Sequence, residues 1–145
     1  MTEHVPILDA AEVERVIRNS LPMMENTGFV VESVAPGVAT VRFGYRPWML
    51  RPGGSVSGPV LMMAADTAMF AVILAHVGAE VMMLTANLNI NFLRRAAPGD
   101  VLAEGRLLKL GRRLAVVEVL IRSDSSDALV AHVTGNYVLP WTNAE

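Results

Sequence analysis

There is no cysteine in this 145-residue chain, and that absence removes disulfides, thiolate metal sites and cysteine nucleophiles together. Charge is scarce as well: acidic and basic residues make up 18% of the chain, against 52% hydrophobic residues, which is lean for a globular domain. A single copy is short of polar surface, so an oligomer closed over an apolar interface is expected. The net charge of −2 offers no basic footprint and argues against nucleic acid as a partner. No clustered His, Asp and Glu spacing reads as a metal site. The opening MTEHVPILDAAEVERVIRNS has no basic start followed by an apolar core, so it does not read as a secretory leader, and a cytoplasmic protein is expected. The length suits one domain, 1–145, with a substantial core.

What the chain does have is pattern. Residues 9–20 open with Asp9, a good N-cap, and set Ala10, Val13, Val16 and Ile17 on one helical stripe. Pro22 and Gly28 close that helix. GFVVESV and GVATVRFGYR then predict a hairpin around Ala35-Pro36-Gly37. RPGGSVSGP (51–59) leads into a long apolar helix over 59–77. Four strand-like stretches follow, VMMLTANLNINFLRR, VLAEGRLLKL, RLAVVEVLIRS and ALVAHVTGNYVL, broken by Pro98-Gly99-Asp100, Gly111 and residues 124–127. The expected class is α+β, with one apolar helix against a curved antiparallel sheet.

The long helix holds the most informative residue. GPVLMMAADTAMFAVILAHVG (58–78) carries one acid, Asp66, inside an almost unbroken apolar run. A membrane span is the first reading to weigh, because the run is long enough to cross a bilayer. An Asp at the centre of a span costs roughly 3 kcal/mol, the flanks lack a Lys/Arg asymmetry, and Pro59, Thr67 and His76 interrupt the run, so no membrane is expected. At 100° per residue, Ala64, Ala68, Ala71 and Ala75 form a small-residue stripe suited to a close sheet. Asp66 lies nearly opposite, among Met62, Met63, Met69, Phe70 and Ile73. A helix apolar all round is buried on every side, so the Asp66 face needs a cover, for which a second subunit is expected. Two readings of the buried acid stand side by side: an Asp satisfied by nearby amides or a hydroxyl, or a base or nucleophile in a cleft. At the helix start, Gly58 keeps its N–H at the positive end of the helix dipole, where it can polarise a carbonyl. An ordinary glycine turn is the other reading.

Taken together, GGSVSGPVLMMAADTAMFA, TANLNINFLRRAAPGDVLAEGRLLKLGRRLAVVEVLI and VAHVTGNYVL resemble the hotdog-fold acyl-CoA thioesterases of the phenylacetate-degradation (PaaI) type. The resemblance covers about residues 15–139. It implies the hotdog fold, a long central helix wrapped by a curved antiparallel sheet. It also implies a thioester hydrolase, with Asp66 as the catalytic acid of the central helix, Gly58 as oxyanion donor and Thr85 as the assisting hydroxyl on the following strand. The family dimerises through a continuous sheet and often pairs again into tetramers. Eight helical residues separate Gly58 from Asp66 by about 12 Å, too far for both to act on one carbonyl, so the resemblance implies a site shared between two chains.

The substrate implied is an acyl-CoA of small to medium or aromatic acyl group, with coenzyme A as part of the substrate and no separate cofactor. Met62, Met63, Met69, Phe70 and Thr67 are expected to line the acyl pocket, since methionine adapts to varied shapes. Arg112 and Arg113 are expected to meet phosphates, as Arg94 and Arg95 also could. The chain departs from the family at two places: Arg51 stands where Asn is usual, and Ser57-Gly58-Pro59 where His-Gly-Gly is usual. Ser57 can cap the helix and is expected among the substrate-binding residues, and Arg51 is expected either to pair with the partner's Asp66 or to bind substrate. The departures motivate a second reading, a degraded hotdog protein that binds acyl-CoA without hydrolysing it. His76 and His132 sit inside elements, where ordinary structural roles are expected.

Overall fold

The structure, a computed structural model, describes residues 4–140. Helix α1 (Ala10–Ser20) starts in a capping box, in which the Asp9 carboxylate accepts from the Glu12 N–H at 2.8 Å and the Glu12 carboxylate accepts from the Asp9 N–H at 2.9 Å. Val13 and Ile17 form its buried stripe. A 3-10 turn at Pro22–Met24 follows. Strands β1 (Phe29–Ala35) and β2 (Val38–Phe43) pair as the expected hairpin. Gly37 sits at its turn with φ of 74°, a conformation in which glycine is favoured.

Helix α2 (Gly58–Val77) then runs through the centre of the molecule, with 14 of its 20 residues buried. Four strands complete the fold: β3 (Leu84–Phe92), β4 (Val101–Leu110), β5 (Leu114–Ser123) and β6 (Leu129–Val138). They form one antiparallel sheet of six strands in the order β1-β2-β4-β5-β6-β3. This is the hotdog architecture, a long helix wrapped by a curved antiparallel sheet. The length and apolarity of α2 would suit a membrane span, but its own sheet is what covers it.

The alanine stripe has the expected role. Ala64, Ala68, Ala71 and Ala75 are fully buried, and a side chain at Gly105 on β4 would stand 2.8 Å from the Ala68 carbonyl oxygen. Helix and sheet therefore meet backbone to backbone at that point. At the far end of α2, the Ala75 carbonyl accepts from the N–H groups of Ile7 and Leu8, so the chain start closes the helix end. His76 joins the same region: its Nε2 accepts from the Gly37 N–H at 2.9 Å while Nδ1 faces the Val72 carbonyl at 2.7 Å.

Strand β3 is the exception to local pairing. It leaves α2 and pairs with β6 at the far margin of the sheet, where its outer edge has no partner strand among the described residues. Leu84 is 71% and Phe92 53% exposed, unusual for an edge strand in a chain with so little polar surface.

Candidate active site

Three elements meet at Asp66. The residue sits midway along α2, half-buried, and points toward the register pair Thr85 on β3 and Tyr137 on β6. Thr85 Oγ1 donates to Asp66 Oδ1 at 2.7 Å, and the Tyr137 hydroxyl donates to the same oxygen at 2.6 Å. The phenol also lies 3.0 Å from the backbone carbonyl of Asp66. Its ring stacks on Phe70, one helical turn on, with centroids 6.1 Å apart and planes 11° from parallel. Burial, and then the adjacent Asp66 carboxylate, push the Tyr137 phenol well above its ordinary value, so it keeps its proton and donates.

The acid opens onto a cleft of about 450 Å³. Met62, Met63, Phe70, Thr67 and Leu88 line it, with Met23 and Met24 from the 3-10 turn. The Thr67 hydroxyl is occupied, donating to the Met63 carbonyl at 2.7 Å. Met69 is a correction. It is fully buried and packs toward β6, where a side chain at Gly135 would stand 2.6 Å from its methyl carbon. The missing side chain of Gly135 leaves room for Met69 in the core, away from the cleft.

Gly58 lies in a different cavity, of about 690 Å³, with Arg51, Arg94, Arg95 and Phe92. As the first residue of α2 its N–H has no partner within the helix. Phe92 is close: a side chain at Gly58 would lie 3.3 Å from the ring edge. Among the described residues the arginines here bond only carbonyls: Arg51 Nη1 to Pro52, Arg95 Nη2 to Gly53 and Arg94 Nε to Leu129. Arg51 lies beside Gly58 at the start of α2. Ser57 occupies the N-cap position, but its side chain makes no capping bond, which corrects that expectation. The turn holding Arg112 and Arg113 lies at the other end of α2, where Arg112 lines a groove with Val77 and Glu80, so neither is brought to Asp66 or Gly58 within one chain.

His132 Nε2 pairs with Glu118 Oε2 at 2.8 Å on the sheet, and His76 braces the hairpin, so neither histidine faces Asp66. No group of three His, Asp or Glu residues suited to a metal converges among the described residues. Tyr137 is the residue that sequence reasoning missed. The alternation Ala131, Val133, Gly135, Tyr137, all buried on β6, carried the signal: it aims the phenol at the helix, where Asp66 is the only acid.

Comparison with known proteins adds an independent line. The family model described as the thioesterase superfamily matches residues 53–130, which include Gly58, Asp66 and Thr85. A Saccharolobus solfataricus protein assigned as an esterase is 31% identical over 143 residues, spanning 97% of this chain and 92% of that one. A solved structure from Silicibacter sp. TM1040, assigned as a thioesterase, superposes with a TM-score of 0.86 at 36% identity over 94% of both chains. The phenylacetic acid degradation protein PaaI from Thermus thermophilus, solved as a mutant, gives 0.68 at 28% identity, covering 82% of this chain and 99% of that one.

Proposed function

The chain is a thioester hydrolase belonging to the thioesterase superfamily, and on that premise we propose that it hydrolyses acyl-CoAs with small to medium or aromatic acyl groups. Asp66 acts on the thioester and the N–H of Gly58 receives the oxyanion. The observation that carries this reading is a lone carboxylate on the wall of an apolar cleft with one oxygen engaged and the other, Oδ2, without a partner among the described residues.

The site is completed by a second copy. Within one chain Thr85 marks the Asp66 end of β3 and Phe92 the Gly58 end, seven residues apart, about 23 Å along a strand. If the open edge of β3 pairs antiparallel with itself about Leu88 and Asn89, Phe92 of the partner subunit comes opposite Thr85. That carries the partner's Gly58 toward Asp66, across the gap that a single helix cannot close. The same pairing covers the exposed Leu84 and Phe92 and the apolar rim of the cleft. The arginines beside Gly58 then flank the site from the other chain and suit the phosphates of coenzyme A. The substrate brings its own coenzyme, and no further cofactor is required.

Two routes balance. As base, Asp66 takes a proton from water whose oxygen bonds to the acyl carbon; the C–S bond breaks and the thiolate takes up a proton. As nucleophile, Asp66 bonds to the acyl carbon and expels the thiolate, and water then cleaves the mixed anhydride. In both, the Gly58 N–H meets the negative charge on the carbonyl oxygen, a donor whose loss typically costs 10²–10³ in rate. The test is release of free thiol from short, medium and aromatic acyl-CoAs by wild type and Asp66→Ala. Hydrolysis that collapses in a folded, dimeric variant supports the assignment. No hydrolysis above the variant's background on any substrate refutes it in favour of acyl-CoA binding without turnover.

A further inference from the structure

We propose that Tyr137 is a positioning residue for this reaction, its hydroxyl joining that of Thr85 to clamp Oδ1 of Asp66 and leave Oδ2 as the working oxygen. The inference rests on the reading of Asp66 as the reacting acid. An aspartate has two equivalent oxygens and a broad, roughly two-fold torsion that exchanges them. Here both donors go to one oxygen, at 2.6 and 2.7 Å. They come from register neighbours on adjacent strands, so the β3–β6 ladder sets their spacing.

The two donors are not equivalent. Thr85 stands on the margin of the sheet, at the seam proposed for the second copy, and its hydroxyl hydrogen can rotate between acceptors. Tyr137 is 4% exposed and held by its stack on Phe70, so its oxygen has one place to be. The phenol has a single proton and, besides the neighbouring Thr85 hydroxyl, two acceptor oxygens on Asp66 in reach. The shorter bond to the charged oxygen takes it, and the backbone carbonyl at 3.0 Å is the weaker share. The remaining lining of the cleft, from the 3-10 turn, α2 and β3, is uncharged. Tyr137 is thus the one other titratable group facing Asp66 in the described cleft. From a second copy, the charged groups brought near are the partner's Arg51, the partner's Arg94 and the partner's Arg95, the arginines beside Gly58.

Tyr137→Phe removes the donor and keeps the ring. The measurement is kcat/KM against pH from 4 to 9 on the best thioester of the acyl-CoA panel, beside Asp66→Ala. Losing a donor to the ionised carboxylate moves the acid limb to higher pH and lowers the plateau about tenfold, chiefly in kcat. A profile that superposes on wild type overturns the inference, as does a lower plateau with an unmoved limb, the mark of a merely structural role. Asp66→Ala keeps the two failures apart: if it retains activity, the reading of Asp66 falls; if it is inactive while Tyr137→Phe matches wild type, only the role of Tyr137 falls. Should Tyr137→Phe not fold, 13C-tyrosine NMR decides. The chain has two tyrosines, and the Tyr137 resonance is compared between wild type and Asp66→Asn: burial is common to both, so removing the carboxylate should let the phenol ionise at lower pH, and an unchanged titration overturns the clamp.

Discussion

Replacing Gly135 with alanine tests how tightly sheet packing and the site are bound together. A Cβ at 135 would stand 2.5 Å from the Asn87 carbonyl oxygen, 2.6 Å from the Met69 methyl carbon and 3.1 Å from its sulfur. The methionine end can swing aside. The carbonyl cannot, because it belongs to β3, and β3 is held to β6 with Leu88 opposite Gly135. Overpacking of this kind costs about 2 kcal/mol. At roughly 3 °C per kcal/mol for a chain of this size, Tm should fall by about 6 °C. Relief comes only by moving β3 outward, which carries Thr85 away from Asp66, so activity should fall together with stability. Differential scanning calorimetry gives the first quantity and thiol release the second. Adding Met69→Ala should recover none of the lost Tm, since the carbonyl contact persists and truncating a fully buried methionine destabilises in its own right. A Gly135→Ala protein melting within about 2 °C of wild type would refute this packing account.

Two further outcomes concern pH. Asp100 accepts from the Tyr45 N–H and from Arg42, and these donors hold its carboxyl below the ordinary value. Its stabilisation is present above the unfolded carboxylate range and lost as pH falls from about 4 toward the lower folded value; Asp100→Asn should therefore lose less Tm than wild type between about pH 5 and 3, and parallel curves would contradict this. His76 runs the other way in charge but not in direction: burial lowers its value, so the neutral ring that accepts from Gly37 is lost as pH falls below about 6.5. The Tm drop between about pH 7 and 5 should be smaller in His76→Gln than in wild type, and an equal drop would contradict it.

Most of the fold is legible in the sequence because each element has its own period. Asp9 marks the start of α1, Pro36-Gly37 marks the hairpin, and the alanine stripe announces the close approach of α2 to the sheet. The place of β3 is not legible, since its pairing with β6 joins segments that are far apart in the chain and no local pattern carries that partner. Asp66 stands out because one acid interrupts an apolar helix. Met69 is misplaced by the same helical wheel: it lies only about 60° from Asp66, and what turns that angle into core rather than cleft is Gly135 on another strand. Tyr137 is hidden for a related reason, since its partner is reached only once β6 is laid along α2. Arg112 and Arg113 read as phosphate ligands from residue type alone, and within one chain their turn lies at the far end of α2 from Gly58.

The central claim is that each site joins Asp66 of one chain to Gly58 of another, and subunit mixing tests it most directly. Asp66→Ala disables one half. Gly58→Pro disables the other by removing the N–H, with Ser57 already at ψ of 153° as a residue before proline requires and the new ring set against Phe92 of its own chain. The two inactive proteins are unfolded and refolded together in equal amounts, and thiol release is measured on the refolded mixture. Half of the two-fold dimers formed are mixed, and each mixed dimer holds one site with both groups intact, so the shared site predicts recovery of about a quarter of wild-type activity. Activity no higher than that of either parent, from a mixture shown to contain the mixed dimer, would contradict it.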